Sequence, residues 1–472
     1  MFERSRRIGA SVHSRRRSLV ERRIHRDKAT DRESCVGMLL SGTVIVDAET
    51  VIDDGAVVVA DDRIVDVGER AACLDRYPDH ERRAYDLLAP GTVGAHVHSV
   101  QSLGRGIADD TALLEWLFEY VLPMEASLSA AEMRAAAELG YLELIESGTT
   151  TCIDHLSVHH AEEAFEAARE FGVRGRFGKV MMDKEAPPGL LEDTDAALAE
   201  SERLIRRYHG TEDGRIRYAL TPRFAVSCTE ECLRGTRELA DEYDGVTIHT
   251  HASENRDEVA TVEEETGRRN VHWLHEVGLT GEDVTLAHCV WTDESERELL
   301  AETGTNVTYC PSSNMKLASG VAPIHDYLDR GINVALGNDG PPCNNTLDPF
   351  TEMRQATLLQ KVDRLEPQAL PARTVFEMAT INGARAAGFE RVGALREGWK
   401  ADVIGLETEG LTRATPVHDV LSHLVFAAHG DDVRFTMVDG EVLMDDGEVL
   451  VADAAAVRRR AREYAADYDA AH

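Results

Sequence analysis

The 472-residue chain is 43% apolar, enough to bury a large core and too much for a disordered polymer. Its 85 acidic against 51 basic residues give a net charge of −34, which argues against nucleic acid and anionic membranes as partners. The length suits a large barrel with a satellite domain.

Residues 1–37 stand apart. They hold 11 Arg and Lys against 5 Asp and Glu, a net +6, so residues 38–472 carry −40. Ser5-Arg6-Arg7 has no apolar stretch behind it, which rules out reading it as an export signal. The expectation is a basic, unstructured extension or untranslated sequence ahead of a true start at Met38. Only six of the basic residues are lysine. An acidic, arginine-over-lysine composition suits concentrated salt, which screens self-repulsion, as in halophilic proteins.

From Met38, T-V-I-V, A-V-V-V-A and R-I-V-D-V-G read as short strands, with Asp53-Asp54-Gly55 as a turn signal. The pattern returns over 393–451 in A-D-V-I-G-L and F-T-M-V-D-G-E-V-L-M. Residues 38–90 and 393–451 are therefore expected to meet in one small β-sandwich, with 452–472 as a C-terminal helix or tail. Between them, eight apolar runs alternate with helical stretches: 91–99, 149–155, 174–183, 215–223, 246–253, 284–289, 305–311 and 333–339. This predicts an α/β fold, a (β/α)8 TIM barrel over 91–392, with its chemistry at the C-terminal ends of the strands. A doubly wound sheet is the alternative, but no G-x-G-x-x-G follows the first strand. The eight cysteines include no C-x-x-C, and several lie in apolar runs, as expected of free thiols in a reducing cytoplasm. No segment approaches a transmembrane helix in length.

The polar residues fall at the predicted strand ends. His96 and His98 are two apart on the first strand, so both imidazoles face one side, at a spacing that suits zinc. Taken alone, one of them could satisfy a core hydrogen bond while the other caps the strand. The fifth strand ends in H-T-H-A-S-E, giving His249, His251 and Glu254. The sixth ends in A-H-C with His288, and the eighth in G-N-D-G with Asp339. Each has a structural explanation by itself: Asp339 as a helix cap, Glu254 in a helix first turn, His288 as a core histidine. Their joint arrival at strand ends of one barrel points to a site.

Together with P-G-T-V-G-A-H-V-H, L-G-R-G-I-A-D-D, L-L-E-W-L, E-S-G-T-T-T, L-A-H-C and C-P-S-S-N-M-K-L-A-S-G, these motifs cover roughly residues 38–407. In them the chain resembles the amidohydrolase superfamily, in its branch of aminopurine deaminases and triazine hydrolases. The resemblance implies one divalent metal per chain, zinc or else iron, held by His96, His98, His251 and Asp339. His251 is chosen over His249 because the family pattern is H-x-x-E, and His249 is expected to support the site. Binuclear relatives carry a lysine on the fourth strand, which R-I-R-Y-A-L-T-P-R lacks. The implied mechanism activates water, with Asp339 accepting its proton, His288 orienting it or sharing that role, and Glu254 protonating the ring nitrogen.

For substrate, Glu115 in L-L-E-W-L matches the residue that binds both ribose hydroxyls in S-adenosylhomocysteine and methylthioadenosine deaminases. It could equally be an exposed helix residue. At the fourth strand those deaminases carry a histidine where P-R-F-A-V-S-C has Arg223, which resembles guanine deaminases. D-G-P-P-C-N-N and E-M-A-T-I-N-G-A-R match 5′-deoxyadenosine deaminases better. The expectation is deamination of a 5′-modified adenosine nucleoside by a homo-oligomer, with guanine deamination or triazine dechlorination as alternatives. A catalytically dead scaffold would have lost ligands that this chain keeps.

Overall fold

The computed structural model describes residues 37–471, so the expectation for the basic N-terminal segment lies, Gly37 apart, outside the described residues. Eight parallel strands follow the predicted runs closely: β5 (Thr92–Val97), β6 (Thr149–His155), β7 (Arg174–Gly178), β9 (Ile216–Pro222), β10 (Thr247–Ala252), β11 (Val284–His288), β12 (Asn306–Tyr309) and β13 (Val334–Leu336). They pair in the order β13-β12-β11-β10-β9-β7-β6-β5. A parallel bridge between Val97 and Asp339 brings the two edges together, and the Asp339 N–H donates to the carbonyl of His96 at 2.9 Å. The contact that closes the TIM barrel thus joins two of the predicted site residues.

One run departs from expectation. Residues 174–183 break at Lys179 into β7 and a separate two-residue strand β8 (Val180–Met181), which pairs only with β9. Lys179 turns its ammonium inward to Glu192 at 2.5 Å, and its N–H leaves the ladder for the hydroxyl of Tyr218. The barrel strands are buried on both faces, as strands covered by helices outside and packed side chains inside must be. Side-chain caps fix where the outer helices begin: Ser129 and Asp293 form capping boxes with Glu132 and Glu296, and Asn255 caps Arg256–Thr266.

The second sheet is built from both ends of the described chain. It contains β1 (Met38–Ile45), β2 (Val51–Ala60), β3 (Arg63–Glu69), β4 (Glu81–Pro90), β14 (Val403–Leu406), β15 (Val433–Val438), β16 (Glu441–Asp445) and β17 (Glu448–Val449). Hydrogen bonding runs unbroken through the order β17-β16-β15-β14-β4-β1-β2-β3, with β4 and β14 antiparallel where the two ends meet. The small domain is therefore one continuous sheet that both chain ends build together, as the sequence led one to expect of a small β-domain made from the two ends. It curls so that Val57, Val59 and Ile64 share a core with Val403, Phe435 and Met437. At the seam Gly440, at φ +73°, brings its α-carbon so close to the Asp61 carbonyl that no side chain fits there.

The two sheets are tied by a buried charge cluster. Arg174 of β7 donates to both carboxylate oxygens of Asp402 at 2.8 and 2.9 Å and to Asp439 at 2.6 Å. The C-terminal helix Ala454–Ala471 lies along helix Ala130–Glu146, paired through Arg458 with Glu146 and Arg460 with Glu138. Among the described residues no helix is long and apolar enough to cross a membrane.

Candidate active site

The C-terminal ends of β5, β6, β10, β11 and the segment after β13 converge on one cluster. The ring of His96 lies 4.7 to 5.4 Å, centroid to centroid, from those of His98, His249, His251 and His288. The ligand atoms of His96, His251, His288 and Asp339 fall within 4.8 Å of one another. His98 Nε2 is 3.2 Å from His251 Nε2 and 3.4 Å from Asp339 Oδ1. Three of the turns that present these groups are strained. Ser253, His288 and Asp339 have φ of +53°, +72° and +61°, a region that costs a non-glycine residue about 1 kcal/mol or more. Glu258 holds the first of them by accepting from the N–H groups of Ser253 at 3.0 Å and Glu254 at 2.6 Å.

Hydrogen bonds to carbonyls fix where the imidazole protons sit, because a carbonyl can only accept. Nδ1 of His98 donates to the carbonyl of His155 at 2.8 Å, and Nδ1 of His251 to that of Arg223 at 2.7 Å. Both rings therefore turn an Nε2 lone pair inward. His249 Nδ1 donates to the Thr285 carbonyl at 2.9 Å, which makes its Nε2 an acceptor. That atom is 2.7 Å from His96 Nδ1, so His96 donates there and also presents an Nε2 lone pair. His96 Nε2 is buried without a hydrogen-bond partner. Burial, followed by the neighbouring imidazoles, holds His98 and His251 well below the ordinary imidazole range, and burial then His96 does the same for His249.

Three inward lone pairs and the Asp339 carboxylate thus meet with no proton between them. Such a set of acceptors repels itself and fits a divalent cation, with His96, His98, His251 and Asp339 as the donors. Burial would raise the Asp339 carboxyl, but the imidazoles of His96, His288 and His98 packed around it favour its charged form and hold it well below its usual range. A cation among the four acceptors favours the same form without protonating them.

His288 differs. Asn314 Nδ2 donates to its Nδ1 at 3.0 Å, which leaves the ring proton on Nε2. Nε2 faces Glu254 Oε2 at 3.4 Å and Asp339 Oδ2 at 3.8 Å, and burial pulls its pKa down to about 3. It is a neutral donor set between two carboxyl groups. Glu254 is pushed well above the ordinary carboxyl range, first by burial and then by Asp339 and Glu258. Ser319 Oγ donates to its Oε1 at 3.4 Å. Asn314 and Ser319 both come from the C-P-S-S-N-M-K-L-A-S-G motif, which sequence alone left without a role.

A pocket partly open to solvent leads onto this cluster, lined by His98, Leu113, Trp116, Leu117, Arg223, Phe224, His251, Glu254 and Asp339. Arg223, 3% exposed, is braced by Glu125, whose carboxylate lies 3.4 Å from Arg223 Nη1 and accepts from Gln101 Nε2 at 2.7 Å. Glu115 is exposed and does not line the cavity, although Leu113 and Trp116 on either side do. The backbone widens to a π-turn over Trp116–Val121, directing that segment toward the cavity.

Two further residues escaped the sequence reading. Glu125 sits in a helical stretch, L-P-M-E-A-S, with no motif to mark it. His155 ends β6 with its ring 4.7 Å from His251 and 5.2 Å from His98, and neither ring nitrogen has a hydrogen-bond partner. The signal for His155 was its place at the C-terminal end of a predicted barrel strand.

A model of the amidohydrolase family matches residues 87–443, and one of the bacterial imidazolonepropionase-like composite domain matches residues 55–79. The chain is 44% identical over 393 residues to a 5-methylthioadenosine/S-adenosylhomocysteine deaminase of Haloarcula marismortui, covering 82% of this chain and 88% of that one. It is 40% identical over 432 residues to a 5′-deoxyadenosine deaminase of Methanosarcina barkeri, covering 91% and 94%. Among solved structures it resembles a zinc-bound adenosine deaminase from Xanthomonas campestris, with a TM-score of 0.85 and 31% identity over 90% of this chain and 97% of that one.

Proposed function

The chain belongs to the amidohydrolase family and is a hydrolytic deaminase of aminopurine nucleosides, and we propose which of its residues carry that reaction and which nucleosides it takes. The carrying observation is the convergence of three imidazole lone pairs and the Asp339 carboxylate beside a buried Glu254. We assign one divalent ion, zinc, to His96, His98, His251 and Asp339, where it supplies Lewis acidity that makes water nucleophilic at neutral pH.

The chain's own groups move the protons. Water attacking the carbon that bears the amino group gives one proton to Asp339 Oδ2, while the Nε2–H of His288 orients the water oxygen. Glu254, protonated in its buried setting, donates to the adjacent ring nitrogen as the C–O bond forms. The proton on Asp339 passes to the amino group, the C–N bond breaks and ammonia leaves. The remaining hydroxyl proton returns to Glu254, which leaves a carbonyl and a restored acid. Leu113, Trp116, Leu117 and Phe224 pack the base and exclude bulk water.

The substrate class we favour is adenosine altered at the 5′ position: 5′-deoxyadenosine, methylthioadenosine or S-adenosylhomocysteine. Relatives named for these substrates cover most of the chain, which supports this choice over guanine and triazines. Glu115, at the rim between Leu113 and Trp116, is proposed to accept from both ribose hydroxyls, and Arg223 to line the sugar side of the cavity. The seven described cysteines are free and buried, which supports a reducing, cytoplasmic setting, and the acidic surface supports work at high salt.

The test is ammonia release in concentrated KCl from 5′-deoxyadenosine, methylthioadenosine, S-adenosylhomocysteine, adenosine, adenine and guanine, with the metal content of the same preparation. Nucleosides should far exceed free bases, at one zinc per chain. Guanine turned over fastest would overturn the substrate choice, and two ions per chain the mononuclear assignment.

A further inference from the structure

Asn314 and Ser319 of the C-P-S-S-N-M-K-L-A-S-G motif reach His288 and Glu254, and Lys316 stands between them in sequence with other partners. It ends the short helix Pro311–Lys316. Its ammonium donates to Asp109 Oδ1 at 2.6 Å, to the Pro342 carbonyl at 2.9 Å and to the side-chain oxygen of Asn345. Three N–H groups thus meet three acceptors.

These contacts join three segments that serve the site. Asp109 leads into the pocket wall of Leu113, Trp116 and Leu117, which also carries Glu115. Pro342 and Asn345 belong to the turn after Asp339, which Asn345 closes in the left-handed conformation, φ +71°. The third segment is the helix of Lys316 itself, with Asn314 two residues before it. A second cation grips the same turn. Arg105 Nη1 donates to the Asn345 carbonyl, so the stretch from Arg105 to Asp109 is pinned at both ends.

The residue type suits this task. Lysine is rare in the chain, one of six among 51 basic residues. An ammonium sends three N–H groups outward from a single atom, which lets it serve three separate acceptors. The planar fork of arginine is matched instead to paired oxygens in one plane. Two of the three acceptors are neutral amide oxygens, and concentrated salt weakens those contacts less than the pairing with the exposed Asp109.

We propose that Lys316 is a positioning residue for the deamination, holding the pocket wall that follows Asp109 against the turn that follows Asp339. It acts through those segments and keeps Glu115 and the apolar wall at a set distance from the group that accepts the water proton. This rests on the roles given above to Glu115 and Asp339.

Hydrogen–deuterium exchange and steady-state kinetics in concentrated KCl test it, on Lys316→Met, Lys316→Arg and Asp109→Ala. Amides over 105–117 should exchange about tenfold faster or more in both Lys316 variants, with the barrel strands unchanged. KM for 5′-deoxyadenosine should rise about tenfold in the same variants, while kcat falls less than about threefold and zinc content holds. A purely structural role would not split KM from kcat in this way. Asp109→Ala removes one contact of three at an exposed position where folding is not at risk, and should speed exchange and raise KM by about two- to threefold. Wild-type exchange over 105–117 in Lys316→Met or in Asp109→Ala would overturn the proposal. So would a Lys316→Arg enzyme with wild-type KM, or variants that lose kcat with KM unchanged. Exchange does not depend on the substrate: faster exchange in the variants, together with a wild type that prefers guanine, would support the hold on the wall and overturn only the nucleoside reading.

Discussion

Replacing His249 by Phe should loosen the metal without touching a proposed ligand. His249 holds the proton of His96 on Nδ1 by accepting it at 2.7 Å, and is itself fixed by its own 2.9 Å donation to the Thr285 carbonyl. Both imidazoles are buried, so no bulk water replaces the lost acceptor. In the Phe variant the Nδ1–H of His96 is stranded, at a cost of about 1–3 kcal/mol. The ring can escape by moving its proton to Nε2, which removes the lone pair aimed at the metal. Loss of an outer hydrogen-bond partner of this kind lowers metal affinity by about 10–100-fold, or about 1.4–2.8 kcal/mol. Zinc affinity measured by competition with a chromophoric chelator, in the salt used for the activity assay, reads the effect directly. His249→Gln, which restores an acceptor, should recover most of the affinity. Wild-type affinity in the Phe variant, or a Gln variant no better than Phe, would refute the proton relay from Thr285 through His249 to His96.

Three other substitutions test separate parts of the molecule. Glu254→Gln keeps the shape but cannot release a proton, so turnover should fall about 10²–10⁴-fold with zinc content unchanged; loss of zinc would make Glu254 a ligand instead. Glu115→Ala should lower kcat/KM for nucleosides and leave free adenine unaffected, reducing the preference by about 2–4 kcal/mol; an equal loss on both substrates would remove Glu115 from the ribose contact. Asp402→Ala strands Arg174, whose side chain is 1% exposed, and should cost about 3–5 kcal/mol in urea unfolding at constant salt; a loss under about 1 kcal/mol would mean that Asp439 alone suffices.

The barrel was legible because its strands are buried on both faces and read as apolar runs that end in polar residues. His96, His98, His251, His288 and Asp339 all stand at such ends, and the structure brings them together. His155 stands at one too, but it follows Asp154 in a β-branched run and belongs to no motif. Glu125 was hidden for another reason: it reaches Arg223 across 98 positions of sequence, and an acidic residue in a helix has an ordinary explanation on the surface. The break at Lys179 depends on a buried partner, Glu192, that periodicity cannot report. Nor does alternation in short strands say whether two groups of them form two sheets or one. That was decided by the antiparallel pairing of β4 with β14, which are separated by more than 300 residues.

The same β4–β14 seam constrains how the protein is made. A ribosome delivers Met38–Pro90 before the barrel, so β1 to β4 form a sheet whose β4 edge has no neighbour. Its partner, Val403–Leu406, emerges only after every barrel strand has been synthesised. Arg174 likewise waits for Asp402 and Asp439 before its charge is matched. The nascent chain therefore carries an open sheet edge and an unpaired cation through most of translation, and completes both within the stretch from Asp402 to Asp439. A chain truncated before Val403 would leave the ribosome with both defects in place.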